Sequence, residues 1–346
     1  MKRDQRRLLR LAPVLVAVLV AATAQADVWQ QAIARGQPDP ARDEYELQMK
    51  NGDDLARLAA TGSASRRQIL AYIEPALRAY RAASHAQPDQ AEPYFRIGAL
   101  LDAFFHDCTD PLQLGIVRAT CDSPDPQRWR EAVEAWDEFE ARAPLDPRIN
   151  DLLFTRAIMR TKLSADPKTA RADLEAAARD YQALLDRSDG LVRSSTRQVL
   201  GNLAETYMML GKLEPAIETY SAARREGGDI STAYGLAVAL DRDENGSKAL
   251  AVIRAQGRDG YEGFKRDFLN GAVFYVPKGE EYYYFALIDE AFGNVSSSIS
   301  NWRAFLASGA HPQFHARAKA HLDALLVKQR TSPRVPPPED LFERLP

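Results

Sequence analysis

Two cysteines and a nearby histidine are the first residues of this sequence whose chemistry attracts attention. Cys108 and Cys121 lie close together in the stretch "CTDPLQLGIVRATC", just after His106. An even, paired cysteine count predicts a disulfide in an oxidising compartment, and closing such a loop stabilises a protein by about 3 kcal/mol in the chain-entropy model. Zinc is the alternative, with His106 as a third ligand, but the fourth ligand of a structural zinc site is missing.

Histidines and acids nearer the C-terminus are the other metal-binding residue types. His311 and His315 are four residues apart, with His321 beyond them, and such a pair can bind a metal. No carboxylate is placed to complete the ligand set, so we interpret the histidines as a solvated helix face. The acidic stretch from Asp241 to Gly246 lacks the register and the closing glutamate of a calcium loop, and we interpret it as a turn between two helices. The sequence predicts no metal and no cofactor.

Catalytic and nucleic-acid-binding patterns are missing from the sequence. It contains no G-x-S-x-G, H-E-x-x-H, phosphate-binding loop or G-x-G-x-x-G, and no nucleophile–base pair can be assembled from it. We therefore do not expect an enzyme. A formal net charge of −3 gives no electrostatic reason to bind nucleic acid or anionic lipid.

The N-terminus has the three parts of a secretory signal peptide. The basic stretch "MKRDQRRLLR" precedes the apolar run "LAPVLVAVLVAA", and the small-residue sequence "AQA" ends at Ala26. The apolar run of 12 residues is shorter than the roughly 20 that span a bilayer, which makes a retained anchor the less favoured alternative. We predict residues 1–26 as a signal peptide cleaved near Ala26, a periplasmic or secreted mature chain, and no transmembrane segment after cleavage. The export route, Sec or twin-arginine, is left open.

The helices that must position any site are indicated by the spacing of small and aromatic residues. In "NLAETYMMLGKLEPAIETYSAARREGG", small residues at Ala204 and Ala216 alternate with Tyr207 and Tyr220, and Gly211 lies between them. This spacing resembles the tetratricopeptide repeat (TPR), a helix–turn–helix unit of about 34 residues. The small residues allow the two helices to approach closely, the tyrosines fill the space between units, and the glycine ends the first helix.

The second-helix part of this pattern, a small residue followed four positions later by a large one, occurs six times in the sequence. The pairs are Ala76–Tyr80, Ala132–Trp136, Ala177–Tyr181, Ala216–Tyr220, Ala249–Ile253 and Ser298–Trp302. We therefore expect an all-α protein, an α-solenoid of about six TPR-like helix hairpins over residues 27–329, with a capping helix at its end. Loop insertions are expected near 105–126 and 259–278, and residues 330–346 are predicted to be a Pro-rich flexible tail.

The resemblance to TPR proteins implies a function in binding other proteins or peptides through a groove lined by the first helices. The implied groove residues are Glu92, Phe95, Asp102, Gln198, Glu205, Met208, Met209, Tyr283, Leu287 and Glu290. Because several of these are acidic, a neutral or basic partner segment is expected. The oligomeric state is not predicted.

The leading functional hypothesis is an exported scaffold or adaptor in a cell-envelope assembly, such as secretion, motility or surface-polymer machinery, which is an analogy at the level of fold. The alternative is a periplasmic glycan- or solute-binding protein that uses the aromatic C-terminal repeat, "EYYYFALIDEAFG". The aromatic insertion before that repeat either packs on the stack, which is the favoured interpretation, or forms a docking face.

Overall fold

The structure, a computed structural model, describes residues 39–60, 66–104, 125–187, 193–269 and 276–331. The predicted signal peptide, both cysteines of the predicted disulfide and nearly all of the predicted tail lie outside these residues. The described residues form fourteen α-helices and a short 3-10 turn, with no strand among them. No helix in this part of the chain combines the length and the apolar character needed to span a membrane.

The fourteen helices follow one another with short connections in most places. In chain order they are α1 (Pro40–Ala60), α2 (Arg66–Ala86), α3 (Glu92–Phe104), α4 (Pro126–Arg142), α5 (Ile149–Leu163), α6 (Ala170–Asp186), α7 (Arg193–Met209), α8 (Leu213–Arg225), α9 (Ile230–Arg242), α10 (Gly246–Arg254), α11 (Gly257–Leu269), α12 (Glu281–Ala291), α13 (Val295–Ser308) and α14 (His315–Thr331). The 3-10 turn, Pro312–Phe314, immediately precedes α14.

Twelve of these helices pair into six hairpins: α1–α2, α3–α4, α5–α6, α7–α8, α9–α10 and α12–α13. The second helix of each hairpin also contacts the first helix of the next one, so the hairpins stack in sequence order. Helix α11 is inserted between the fifth and sixth hairpins, and α14 packs against α13 at the end of the stack. The predicted all-α solenoid of about six TPR-like hairpins is thereby confirmed.

The six residue pairs identified in the sequence are the joints of these hairpins. Each small residue lies on the second helix of its hairpin and has no exposed surface; they are Ala76, Ala132, Ala177, Ala216, Ala249 and Ser298. The large residue four positions later is never more than 3% exposed. Residues four apart lie on the same side of a helix, so each pair forms one buried contact line between neighbouring helices.

Glycines on the first helices allow the closest approaches between paired helices. A Cβ atom added to Gly98 would lie 2.2 Å from Nε1 of Trp136, and one added to Gly52 would lie 2.5 Å from Cε1 of Tyr80. Both distances are shorter than real Cβ contacts, so the aromatic rings rest directly on the backbone of α3 and α1. The first hairpin thus packs in the same way as the second.

A buried ionic network joins the second and third hairpins. Arg156 of α5 is 3% exposed and donates to both carboxylate oxygens of Asp180 in α6, at 2.7 and 3.0 Å. It also donates to Asp137 at 2.9 Å and to Glu140 at 2.6 Å, both in α4. This one guanidinium therefore ties α5 to α4 and α6, and its loss would leave the buried carboxylate of Asp180 dependent on Nη1 of Arg160, which lies 3.1 Å away.

The aromatic insertion packs back onto the stack through α11. The ring of Phe264 is 1% exposed and lies 4.8 Å from that of Tyr234 in α9 and 5.9 Å from that of Tyr284 in α12. The favoured interpretation of a buried insertion is therefore confirmed for Phe264. The last two aromatic residues of the insertion, 274 and 275, lie outside the described residues.

Candidate functional site

One side of the stack is formed by the first helices of the hairpins. Among hairpins three to six, the consecutive first helices α5, α7, α9 and α12 contact one another directly, in addition to their contacts with second helices. Stacked repeat units that approach more closely on one side curve towards that side. We call the surface formed by α1, α3, α5, α7, α9 and α12 the inner face.

The N-terminal part of the inner face is a strip of half-exposed charges around one aromatic ring. Nη2 of Arg148, just before α5, donates to Glu92 of α3 at 2.8 Å, and Nε of Arg96 lies 3.2 Å from the same carboxylate. The guanidinium carbon of Arg148 lies 4.2 Å from the centre of the Phe95 ring. Arg96 also lies 3.5 Å from Asp53 of α1. We call these five residues the N-terminal strip.

The N-terminal strip has the composition of a surface that can bind a peptide. Its charged side chains are between 30% and 42% exposed, so water and a partner can reach both signs of charge. Arginine and aromatic residues contribute most to binding energy at protein interfaces, and the stacking of Arg148 on Phe95 holds both in place.

The C-terminal part of the inner face is different, because its charged residues are buried. Glu205 of α7, Arg242 of α9 and Glu280 just before α12 are 1%, 5% and 0% exposed. Arg242 forms an ion pair with Glu280. Oε2 of Glu205 accepts hydrogen bonds from the hydroxyls of Tyr220 and Tyr284, both at 2.9 Å. We call these five residues the Arg242 cluster.

The Arg242 cluster contains two acids and a single cation. Burial raises the pKa of Glu205 to about 8, and repulsion from Glu280 adds to the rise. The attraction of Arg242 opposes both effects but does not cancel them. At neutral pH, Glu205 therefore remains mostly protonated, and the ion-pair partner of Arg242 is Glu280. The cluster is a packed, nearly neutral joint between three first helices.

A second buried group surrounds Asp241, the residue before Arg242 on α9. Its carboxylate has no exposed surface and accepts from Tyr283 Oη at 2.7 Å, from Arg317 Nη2 at 2.6 Å and from His321 Nε2 at 3.0 Å. Nδ1 of His321 lies 2.9 Å from Oε2 of Glu290. We call these five residues the Asp241 cluster.

Both ionisable groups at the centre of the Asp241 cluster are held in their charged forms. Burial by itself would raise the pKa of Asp241, but the hydrogen bonds from His321 and Arg317 outweigh it and lower that pKa to about 2. Burial likewise favours a neutral imidazole, yet the two carboxylates raise the pKa of His321 to about 9. An imidazolium held between two carboxylates has no free nitrogen for proton transfer or for a metal, so its role here is structural.

One interpretation made from the sequence is wrong at this point, and another holds for only part of its stretch. His311 and His321 do not lie on a solvated helix face, because their side chains are only 11% and 10% exposed and each faces buried acids. The acidic stretch forms the expected turn between two helices at residues 243–245, whereas Asp241 lies within α9. In the described part of the chain, no group of three or more potential ligands could hold a metal ion.

The ten predicted groove residues divide into two sets. Glu205, Met208, Tyr283 and Leu287 are at most 1% exposed, because helices two hairpins apart meet there, as in the hydrogen bond from Tyr284 of α12 to Glu205 of α7. The residues that keep exposed surface are Glu92, Phe95, Asp102, Gln198, Met209 and Glu290. Contact of this set with a partner stays a prediction.

The burial of the aromatic C-terminal hairpin bears on glycan binding. Sugar stacking needs an open ring face, and the rings of Tyr283 and Tyr284 have no exposed surface. Tyr283 is instead packed edge-on against Trp302 and Phe305, with ring centres 4.7 and 5.0 Å away. The alternative function therefore has no support from these two tyrosines.

A separate pocket of about 800 Å³ lies between α2, α4 and the C-terminal end of α5. Several basic side chains line it, but Arg81 is paired with Glu131, and Arg130 donates to Asp173 at 2.7 Å. An anionic ligand would have to break these pairs. The N-terminal strip is the better candidate for a binding site.

Comparison with known proteins gives a limited likeness in structure. No family model matches the chain, and no curated protein matches it. A solved structure described as "Crystal structure of MamA protein" is similar over 68% of this chain and 99% of its own, with 14% identity and a TM-score of 0.38. The contacts between this chain's own helices define a stack of helix hairpins.

Proposed function

We propose that this protein is a scaffold that binds a segment of another protein along the inner face of its solenoid. We further propose that it does so as an exported protein, periplasmic or secreted, within a cell-envelope assembly. The N-terminal sequence motif supports export. The analogy with other scaffolds of this fold class supports the assembly.

The observation that supports partner binding best is the contrast between the two parts of the inner face. In the N-terminal strip, Glu92, Phe95 and Arg148 are ordered by one another but remain accessible. Side chains that are pre-organised and still solvated lose little freedom when a partner binds, which favours affinity. Because both charges are available, a partner segment can replace part of the Arg148–Glu92 pairing with its own groups.

The direct test is co-purification of the tagged full-length chain from its native envelope, followed by mass spectrometry. The inner-face variant combines Asp102→Lys on α3 with Gln198→Lys on α7, two positions with exposed surface. The matched control is Glu218→Lys, an exposed position on the second helix α8.

We expect the wild type and Glu218→Lys to recover the same protein in near-stoichiometric amounts, and the inner-face variant to recover at most a tenth as much. Recovery of no stoichiometric protein by the wild type would contradict the proposal. Equal recovery by all three proteins would exclude the inner face as the binding surface.

A further inference from the structure

The last helix of the described chain packs through a single, basic side. Phe314, Ala318 and Leu325 are buried, with at most 7% of their surface exposed, and they recur at a spacing that places them on one side of a helix. Arg317 and His321 lie on or beside the same side and make the ionic contacts of the Asp241 cluster. The opposite side of α14, including Lys319, is exposed.

The contacts of α14 reach beyond the last hairpin, which is the only hairpin that a capping helix needs to shield. A cap for the stack needs only apolar contact with α13, which α14 makes. Yet Arg317 and His321 both bond to Asp241 of α9, in the hairpin before the last, and His321 also bonds to Glu290 of α12. The cationic side chains of α14 therefore reach the acids of hairpins five and six on the inner face.

The turn before α14 adds an aromatic anchor to the ionic contacts. The guanidinium carbon of Arg242 lies 4.0 Å from the centre of the Phe314 ring and 4.5 Å from that of Tyr283, so the cation is stacked between two rings. Next to it, Nε2 of His311 lies 3.6 Å from Oε2 of Glu280. The turn thus covers the Arg242 cluster as α14 covers the Asp241 cluster.

The connection from α13 to this segment has an unfavourable backbone. Gly309 has φ +73° and His311 has φ +43°, the latter in a region that side chains other than glycine rarely adopt. Such a conformation persists when surrounding contacts enforce it. Here those contacts are the ones that 311–325 makes with the inner face.

We propose that the inner face of hairpins five and six is a binding site for a basic amphipathic helix, and that residues 311–325 of the same chain occupy it as an internal ligand. The pattern recognised is an aromatic residue, an arginine three positions later, a second base four positions after that and a leucine after a further turn, as in Phe314, Arg317, His321 and Leu325. This proposal rests on partner binding at the inner face and specifies the partner: a protein segment with this helix pattern, which must displace the internal one.

The test is a competition experiment with a fluorescently labelled synthetic peptide of residues 309–331 as the probe. It is titrated with the full-length wild type and with the variant that combines Arg317→Ala and His321→Ala, in which the internal ligand loses its ionic contacts. The control variant combines Lys319→Ala and Lys328→Ala on the exposed side of α14. A second peptide, with Arg317→Glu and His321→Glu, tests the charge requirement.

We expect the Arg317→Ala, His321→Ala chain to bind the probe at least tenfold more tightly than the wild type and the control variant, which should bind equally weakly. The charge-reversed peptide should bind none of them. Equal binding of the probe by all three chains, or no binding by a variant whose circular dichroism shows a native helix content, would overturn the proposal.

Hydrogen exchange of the wild-type chain provides a measurement that does not depend on the folding of a variant. We expect the amides of α14 to exchange through an opening that leaves α12 and α13 protected. If α14 exchanges only together with the whole solenoid, the segment is a fixed structural element and the proposal is wrong. Neither the peptide titration nor hydrogen exchange uses an envelope partner. The internal-ligand proposal can therefore be refuted while co-purification supports partner binding, and partner binding can be refuted while the internal-ligand proposal is supported.

Discussion

Replacing Glu205 by Gln is expected to stabilise this protein at neutral pH. The substitution removes a buried ionisable carboxyl group but keeps an oxygen that can accept the hydrogen bonds of Tyr220 and Tyr284. It also removes the second acid that competes for Arg242. Most substitutions at fully buried polar residues destabilise a protein. A stabilising effect of Glu205→Gln would therefore distinguish this electrostatic explanation from simple disruption of the packing.

The magnitude follows from the pKa of this one group. Its pKa is raised from 4.5 to about 8 on folding, so the folded state binds the proton more tightly, and stability falls as pH rises from 4.5 towards 8. Each pKa unit corresponds to about 1.36 kcal/mol, so the wild type loses about 3 kcal/mol by pH 7 and about 1 kcal/mol by pH 5. The amide of glutamine does not ionise. If it packs as well as the neutral carboxyl group, Glu205→Gln is more stable than the wild type by about 3 kcal/mol at pH 7 and about 1 kcal/mol at pH 5.

The assay is urea unfolding followed by far-UV circular dichroism at pH 5 and pH 7, with linear extrapolation to water. The control is Glu218→Gln on α8, an exposed position at which no change above about 0.5 kcal/mol is expected. A Glu205→Gln chain that is less stable than the wild type at pH 7, or a gain of the same size at both pH values, would refute the reasoning about this cluster.

Three other predictions concern the packing and the ionic joints. Gly98→Ala should lower the stability of the full chain by about 1–3 kcal/mol in urea unfolding, because there is no space for the methyl group of the alanine. The control is Gly263→Ala in α11, where the nearest atom to an added methyl group is 3.9 Å away, and this variant should be neutral or slightly stabilising. Arg156→Ala should cost about 1.5–3 kcal/mol, because the buried carboxylate of Asp180 loses two charged hydrogen bonds and keeps the contact with Arg160 at 3.1 Å. Arg171→Ala, at a surface ion pair with the arginine side chain 81% exposed, should cost about 0.5 kcal/mol or less, and equal losses from the two variants would contradict the network. Folding raises the pKa of His321 from 6.5 to about 9, so the imidazolium contributes stability that is complete below pH 6.5 and lost by pH 9. Across that window the wild type should lose about 3 kcal/mol more stability than His321→Gln. Parallel stability–pH profiles of the two proteins would contradict this prediction.

The fold was predictable because short local patterns in the sequence specify the contacts between its paired helices. A small residue four positions before a large one specifies a close helix crossing wherever it occurs, and all six such pairs lie at crossings. The first helix of the first hairpin, α1, departs from the spacing of the tetratricopeptide repeat. Its signal was Gly52, a small residue on α1 against which Tyr80 packs.

The buried charge clusters were not predictable from the same patterns. The repeat register places Glu205 and Tyr283 on the inner face, and the sequence-based prediction assumed that this face is open. Whether it is open depends on contacts between hairpins that the repeat pattern does not specify, such as the hydrogen bond from Tyr284 of α12 to Glu205 of α7. Two features of the sequence could have indicated the buried clusters. Acids and tyrosines recur at inner-face positions of three consecutive hairpins, and the basic helix α14 follows closely after them.

Site-specific photo-crosslinking in the native host tests the central claim most directly. A photo-reactive residue is placed in the full-length chain at Asp102, Gln198 or Met209 on the inner face, or at Glu175 or Glu218 on second helices. Adducts to one and the same protein are expected from the inner-face positions, and none from the second helices. Adducts only from the second helices, or no protein adduct from any position, would contradict it.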